Sequence, residues 1–434
     1  MLVRVDGERL AAPKMRIAIV TAAYHTRADD PFVPVWRDMV TALAAMADVT
    51  LYPLRRPALG APFSLDGARI VPLGHGMVRL RRSPFLWRSA ISALQEDHRA
   101  RPFDAVCAFQ AGEAGFVAAL AAARIGRPLH VHVAGGELVC LRPIGYGSGC
   151  HVVERAMVAL AMRRASVITT GTKAMAVRAG EWLRSSARGR VHVAPLGIDT
   201  ARWRALEPRR LADASSGEPV GQRACLVAVS DLRPVKDHAT LLEAFAALCA
   251  RRAVRLDLVG AGETLGATRA LAARLGVAQH VRYWGWVPPV VAHVPFLSAH
   301  AFVHASRHEA QGIALIEAAC LGLPVATTAV GVAGALPGPC RVVQEGDVAA
   351  LAAAMEDALD AAAAPIEARS ADRDTVAAEF DRTRCAERWI HLLSHASEIG
   401  TTAQRIAPLT RRVWIDQGDA VSIRTDQPVR RDRP

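Results

Sequence analysis

His304–Val325, HASRHEAQGIALIEAACLGLPV, is the stretch whose reading decides the fold. From Ile313 onward its side chains are apolar on almost every side (Ile313, Ala314, Leu315, Ile316, Ala318, Ala319, Cys320, Leu321), which predicts a short helix buried all round. Gly322 and Pro324 stop that helix, and PVATT beyond them has the character of a buried strand. Two carboxylates, Glu309 and Glu317, flank Gly312 with seven residues between them. Glu317 falls inside the apolar helix, where a carboxylate is costly unless something hydrogen-bonds it. Glu309 stands just ahead of the first helical amides. A helix N-terminus offers unpaired N–H groups to an anion, and carboxylates accept from hydroxyls. The spacing alone allows a plainer reading, in which Glu309 caps the helix and Glu317 makes a structural salt bridge.

On either side of this stretch, strand-like and helix-like runs alternate. ACLVAVSDL (224–232) is followed by a helix over 238–250, the strand RLDLVGAG (255–262), a helix over 264–275, the short strand HVRYWGW, a helix over 289–298 and the strand AHAFVHAS (299–306). The loop VGVAGALPG and a helix over 347–362 come after PVATT. The first half repeats the pattern, with strands RIAIVTAAY, VTLYPL, FDAVCAF (103–109), LHVHVAGGEL (129–138), SVITTG (166–171) and RVHVAPLG (190–197), and helices between them. Alternating strand–helix units imply open parallel sheets that bind ligands at the carboxyl ends of their strands. The expected fold class is therefore α/β, two Rossmann-like doubly wound domains facing a cleft. The expected division is 15–197 for the first domain, 198–222 for a Ser-, Gly- and Pro-bearing linker, 223–375 for the second domain, an amphipathic helix over 376–397, and a disordered tail over 398–434. Residues 1–14 read as an unstructured leader.

A chain of 434 residues, 51% of them hydrophobic, can fill two cores. Its formal charge of +12 fits nucleic acid, an anionic membrane or a phosphorylated substrate. Only 5% of residues are aromatic and the arginines are dispersed, so no stacking surface for single-stranded nucleic acid is evident. Arg79, Arg81, Arg82 and Arg88 around SPFLW form a basic patch, read first as a solvated face and second as an acceptor or membrane contact. The eight cysteines stand singly, with no CxxC and no short-range pairing expected, which suits a reduced cytosolic compartment. No HExxH occurs, so zinc-dependent hydrolysis is not expected. No uncharged apolar stretch is long enough to span a bilayer, and Asp6 and Glu8 occupy the place of a signal peptide's apolar core. The expected location is the cytoplasm, with association at the inner face of the membrane as a further expectation.

DLRPVKDH (231–238) places Arg233 and Lys236 after the first strand of the second domain, where a doubly wound sheet presents ligand-binding groups. A guanidinium and an ammonium there can hold a diphosphate. LVGAGE has Gly260 and Gly262 after a strand but lacks the third glycine of a dinucleotide fingerprint, so a tight turn explains it equally well. In AGGEL, Gly135 and Gly136 let backbone N–H groups approach an anion, while Glu137 orients an acceptor or caps a helix.

VSDLRPVKDHATLLEAF, RLDLVGAGE, HVRYWGWV, SRHEAQGIALIEAACLGLPVATT and QEGDVAALAAAMEDAL, in that order, resemble the C-terminal half of the family 4 glycosyltransferases. These are retaining enzymes of the GT-B fold with a Glu-x7-Glu motif, and the resemblance implies that the C-terminal helix over 376–397 crosses back to the first domain. The first domain is similar only in architecture and in AGGELV. The resemblance implies transfer of a sugar from a nucleotide-sugar to a glycan or lipid-linked acceptor in cell-surface polysaccharide or glycolipid synthesis. It implies no cofactor and no metal. It implies that Glu309 contacts hydroxyls of the transferred sugar and that Glu317 contacts the ribose. Backbone N–H groups from Gly312 through Ile313 and Ala314 to Leu315 would meet the diphosphate, and Arg233 and Lys236 would hold it as it leaves. The loop from Gly285 through Trp286 to Val287 would lie near the base. Partners implied are the donor, the acceptor and an anionic membrane surface, and no nucleic acid. Three positions depart from the family pattern: Asp231 stands where an Arg is common, Ala134 where a His is common, and VGVAG (330–334) where paired glycines and a Glu are usual. A GT-B nucleotide-sugar epimerase and a non-catalytic nucleotide-sugar-binding protein are the alternatives.

Overall fold

The computed structural model describes residues 14–27, 34–56, 60–73, 83–184, 189–206, 224–288 and 291–403. Arg79, Arg81, Arg82, all of the leader except residue 14, residues 207–222 of the expected linker and the tail from 404 lie outside them. The first half runs β1 (Arg16–Thr21), α1 (Pro34–Met46), β2 (Asp48–Pro53), β3 (Phe63–Leu65), β4 (Ala68–Ile70), α2 (Ser83–Ala100), β5 (Ala105–Phe109) and α3 (Glu113–Ile125). It continues through β6 (Leu129–Val133), α4 (Val152–Arg164), β7 (Val167–Thr170), α5 (Lys173–Leu183), β8 (Val191–Val193) and α6 (Thr200–Ala205). The strands form one sheet in the order β3-β4-β2-β1-β5-β6-β7-β8, parallel except for the β3–β4 hairpin. Its central strands are buried on both faces, as their continuous apolar sequences require.

The second half runs β9 (Ala224–Val229), α7 (His238–Cys249), β10 (Val254–Val259), α8 (Leu265–Arg274), β11 (Val281–Gly285) and α9 (Val294–Leu297). Then come β12 (Ala301–His304), α10 (Ile313–Cys320), β13 (Val325–Thr328), β14 (Cys340–Val343) and α11 (Val348–Ala361). Its sheet is wholly parallel, in the order β11-β10-β9-β12-β13-β14. The chain ends, among the described residues, with α12 (Ser370–Phe380) and α13 (Arg382–Ala403).

Four readings need correction. The expected helix over 376–397 is two helices, α12 and α13, broken at Asp381. That residue is extended and its carboxylate accepts from the N–H groups of Thr383 and Arg384 at the new N-terminus. The start of the expected linker is structured: Trp203 and Leu206 of α6 and the turn after it pack into the second core with Cys225 and Phe296. Of the expected helix over 289–298, residues 289–290 lie outside the described residues, and 291–298 hold a single α-helical turn, α9, with Pro295 in its first turn and Ser298 ending it. Cys140 and Cys150 form a disulfide across a loop that folds back until their Cα atoms lie 4.8 Å apart, a return that ten residues of sequence do not announce.

The two helices after residue 370 tie the halves together. Val376, Ala377 and Phe380 of α12 join the second core, whereas Cys385, Ala386, Trp389 and Leu393 of α13 join the first. Trp389 is fully buried, donates its indole N–H to the Ala194 carbonyl at 3.3 Å, and faces His130 at 4.5 Å. Beside this crossing the chain also crosses at 197–199. Ile198 N donates to the Phe380 carbonyl, Arg382 N donates to the Ile198 carbonyl, and a Cβ on Gly197 would stand 2.4 Å from the Arg382 Cα. No helix among the described residues is long and apolar enough to cross a membrane.

Candidate active site

Glu309 is reached from three elements. His304, the last residue of β12, places Nε2 at 3.0 Å from Glu309 Oε1, and Ser306 donates its hydroxyl to the same oxygen at 2.9 Å. Lys236, from the loop between β9 and α7, donates to it at 2.5 Å. The side chains of Glu309 and Lys236 are only 14% and 17% exposed. Burial alone would raise the Glu309 carboxyl, but Lys236 and His304 outweigh it and hold the group well below the usual carboxylate range. Lys236 also lies 3.9 Å from Asp231.

The loop geometry comes from Asp237. Its φ of +45° is a left-handed conformation that Asp tolerates better than most residues, because its side chain bonds locally. The carboxylate accepts from the N–H and hydroxyl of Thr240 at the start of α7 and from Arg307 Nε at 2.9 Å. One carboxylate thus fixes both the residue after Lys236 and a residue two before Glu309.

Gly312 precedes α10 with φ +87°, and the Glu309–Gly312 turn ends against the VGVAG loop. There a Cβ on Gly331, itself at φ +57°, would stand 2.3 Å from the Gln311 carbonyl oxygen. The departure from the family pattern therefore keeps the glycine that this close approach requires. At the start of α10 the Leu315 and Ile316 amides donate to the Gly312 carbonyl at 3.1 and 3.4 Å, which leaves the amides of Ile313 and Ala314 as the orphan donors of the first turn. The Leu315 side chain is fully buried, and Ile313 packs toward the first core.

Across the cleft, the first domain meets this loop directly. The Gln311 carboxamide donates to the Leu196 carbonyl at 2.7 Å and accepts from Leu196 N at 2.9 Å. His308 Nε2 lies 3.2 Å from the Gly135 carbonyl. Tyr146, carried by the disulfide-closed loop, packs against Gly136, where a Cβ would stand 2.8 Å from its ring. Arg233, with a side chain 51% exposed, lies over the same ring at 5.9 Å and 3.4 Å from Asp231. Burial, then the carboxylates of Glu309 and Glu137, push the Tyr146 phenol up to about 12.

Arg233, Lys236, Glu309, Gly312, Gly135 and Gly136 therefore gather at one place. The others are placed differently. Glu137 is buried and accepts from the backbone N–H groups of Ala111, Ala134 and Gly135 at 3.3, 3.1 and 2.5 Å, so its carboxylate holds its own turn together. Glu317 lies farther along α10, partly buried, with Asp38 and Arg202 as charged neighbours. Burial, then Asp38, push its carboxyl up to about 8 against the pull of Arg202. Gly260 and Gly262 admit the β9–α7 loop: a Cβ on either would stand 1.8 Å from Ser230 O or 2.3 Å from Leu232 O. Trp286 is 47% exposed, while Val287 packs on the second core. His132 is buried beneath Trp389 and bonded to Thr169, so it does not stand in for a histidine at Ala134.

Sequence reasoning assigned no role to His304, Ser306, Tyr146, Asp237 or Gln311. A signal existed for two of them. His304 and Ser306 lie at the carboxyl end of a strand, the end from which these sheets present ligands.

Two mostly parallel α/β sheets with a basic and acidic cluster in the cleft between them define a GT-B protein. A model of the group 1 glycosyl transferases matches residues 223–361, and one of the glycosyl transferase 4-like domain matches residues 32–197. The chain belongs to the family 4 glycosyltransferases. It is 34% identical over 141 residues to the GDP-mannose-dependent alpha-(1-6)-phosphatidylinositol monomannoside mannosyltransferase of Mycobacterium tuberculosis, an alignment covering 30% of this chain and 36% of that protein. It is 30% identical over 174 residues to the MMP alpha-(1->4)-mannosyltransferase of Mycolicibacterium hassiacum, covering 39% and 40% of the two chains. The chain thus spans well under half the length of either relative. Among solved structures, HepE of Anabaena in complex with UDP and glucose superposes with a TM-score of 0.64 at 19% identity, over 88% of this chain and 100% of that one. Sucrose-phosphate synthase of Thermosynechococcus elongatus superposes at 0.69 with 17% identity, over 89% and 100%.

Proposed function

We propose that the protein is a retaining glycosyltransferase that moves a sugar from a nucleotide-sugar to a glycan or lipid-linked acceptor without a metal. The observation that carries this reading is the Lys236–Glu309 pair, 2.5 Å apart at the mouth of α10 and facing the first domain. Glu309, kept ionised, accepts from hydroxyls of the transferred sugar. The first-turn amides after Gly312, with Lys236 and Arg233, carry the diphosphate. The bond from the anomeric carbon to the diphosphate oxygen breaks as the acceptor hydroxyl oxygen bonds to that carbon. The hydroxyl proton passes to the departing diphosphate on the same face. Cations that neutralise the leaving group stabilise charge where it develops. Glu317 takes the ribose hydroxyls and, protonated, donates as well as accepts. Trp286 and Val287 border the base. The matched relatives favour a mannosyl donor.

A thermal-shift panel of UDP-, GDP-, ADP- and TDP-sugars without metal tests the donor site. One nucleotide class should stabilise the wild type, by about 2.7 kcal/mol at a hundredfold excess over Kd, and not Glu317→Ala. No shift with any donor contradicts the reading. Peripheral membrane contact is proposed on Phe85, 70% exposed on α2, and the exposed Arg88 one turn on. Flotation with anionic liposomes at low salt should carry the protein upward; failure to float excludes that contact.

A further inference from the structure

Four non-glycine residues among those described have positive φ, and three have a local reason. Asp66 and Gly67, at +53° and +79°, turn the β3–β4 hairpin. Asp237 caps α7, and Arg184 ends α5. Gln110, at φ +92°, has no such reason. It follows β5 directly, at the carboxyl end of a central strand of the first sheet, between the ends of β1 and β6. Its backbone is held on every side. Its N–H donates to the His132 carbonyl at 3.0 Å, its carbonyl oxygen lies 3.0 Å from where a Cβ on Gly115 would stand, and the next N–H, of Ala111, donates to Glu137. A glycine would adopt this conformation without strain, yet the chain carries a long polar side chain here. That side chain is only partly buried, and among the described residues its carboxamide makes no hydrogen bond. Glu137 joins the same short segment to the Gly135–Gly136 turn, against which Tyr146 packs.

We propose that Gln110 is a specificity-determining residue of the acceptor subsite, its carboxamide reading a hydroxyl of a glycoside acceptor. The proposal rests on the transferase reading above and names the first-domain group that recognises the acceptor. A carboxamide donates through its nitrogen and accepts through its oxygen, so it matches a hydroxyl that does both. Glu137, through the Ala111 N–H, holds the strained backbone in place at the carboxyl end of β5.

The test compares wild type, Gln110→Gly and Gln110→Asn as full chains. Thermal midpoints, GDP and UDP binding, and binding of p-nitrophenyl α- and β-hexosides by saturation-transfer NMR are measured on each, with transfer to the same glycosides from GDP-mannose and UDP-glucose. Gln110→Gly should raise the midpoint by about 2 °C as strain is relieved. It should leave nucleotide affinity unchanged and weaken glycoside binding and transfer about tenfold, the worth of one good hydrogen bond. Gln110→Asn should retain part of the binding. A Gln110→Gly chain that binds and uses glycosides as well as wild type overturns the proposal, as does a wild type that binds none of them. A wild type that binds neither nucleotide defeats the donor-site reading instead, and the glycoside comparison still decides the role of Gln110.

Discussion

Glu309 shows how one carboxylate is kept charged inside a protein. Three donors converge on one of its oxygens, and Lys236 supplies the compensating charge. Removing that charge alone strands an anion in a desolvated place, whereas removing both partners does not. Lys236→Met should therefore cost about 2–4 kcal/mol of stability. The pair Lys236→Met with Glu309→Gln should cost at least about 1 kcal/mol less than the sum of the singles. Denaturant midpoints measure both, and strict additivity would mean that the two side chains do not interact. Glu317 behaves oppositely. Its folded carboxyl titrates near 8 against an ordinary value of 4.5, so between those values the folded protein holds a proton that the unfolded chain has released. Stability contributed by this group is complete below about pH 4.5 and is lost as pH rises toward 8. Glu317→Gln should flatten that loss, giving a thermal midpoint above wild type at pH 8 and close to it at pH 5. Parallel pH profiles for the two proteins would contradict the assignment.

The elements explain why these residues meet. β9 and β12 are neighbours in the second sheet, so the loops leaving their carboxyl ends, with Lys236 on one and Glu309 on the other, open side by side. Asp237 joins the two loops through Arg307 and caps α7. Asp237→Ala should lower stability by about 1–3 kcal/mol, from the lost cap and from Ala at positive φ, and should weaken nucleotide affinity. Asp237→Asn should do much less, because Asn caps and tolerates the same backbone. Urea melts with nucleotide titrations separate these outcomes, and equal effects from both substitutions would mean that neither the cap nor the left-handed backbone makes Asp237 matter. The long parallel strands were legible because burial on both faces leaves continuous apolar runs. β3, β4 and β14 were not, being three or four residues long with exposed positions. α2 was hidden for another reason: the arginines around SPFLW drew attention to charge, although Leu86, Ala90 and Leu94 mark a helical buried face. The helix break at Asp381 escaped because apolar periodicity continues across it, while each half packs on a different domain.

At the scale of the molecule, the site is assembled by two domains, and sequence order cannot show which loops will face each other. Lys236, Arg233 and Glu309 were legible because they lie within motifs of one domain. Tyr146, the Gln311 clamp on Leu196 and the inward service of Glu137 depend on tertiary contact, over 115 residues of separation for Gln311. The Cys140–Cys150 disulfide and the crossing at 197–199 have the same origin, whereas the return of the C-terminal helix to the first domain was legible through the family resemblance. On the proposed reading, this two-domain site transfers a sugar with Glu309 and Lys236 at its centre. The most direct measurement is mass-spectrometric detection of glycosylated product from GDP- and UDP-sugars with mixed p-nitrophenyl glycosides and an extracted bacterial lipid fraction, in EDTA. Wild type and Glu309→Gln, the latter checked for intact folding, are compared. Wild type should give product and free nucleoside diphosphate from one donor with retained anomeric configuration, and Glu309→Gln at least about a hundredfold less. Equal turnover by a folded Glu309→Gln chain, or a product of inverted configuration, would contradict that reading.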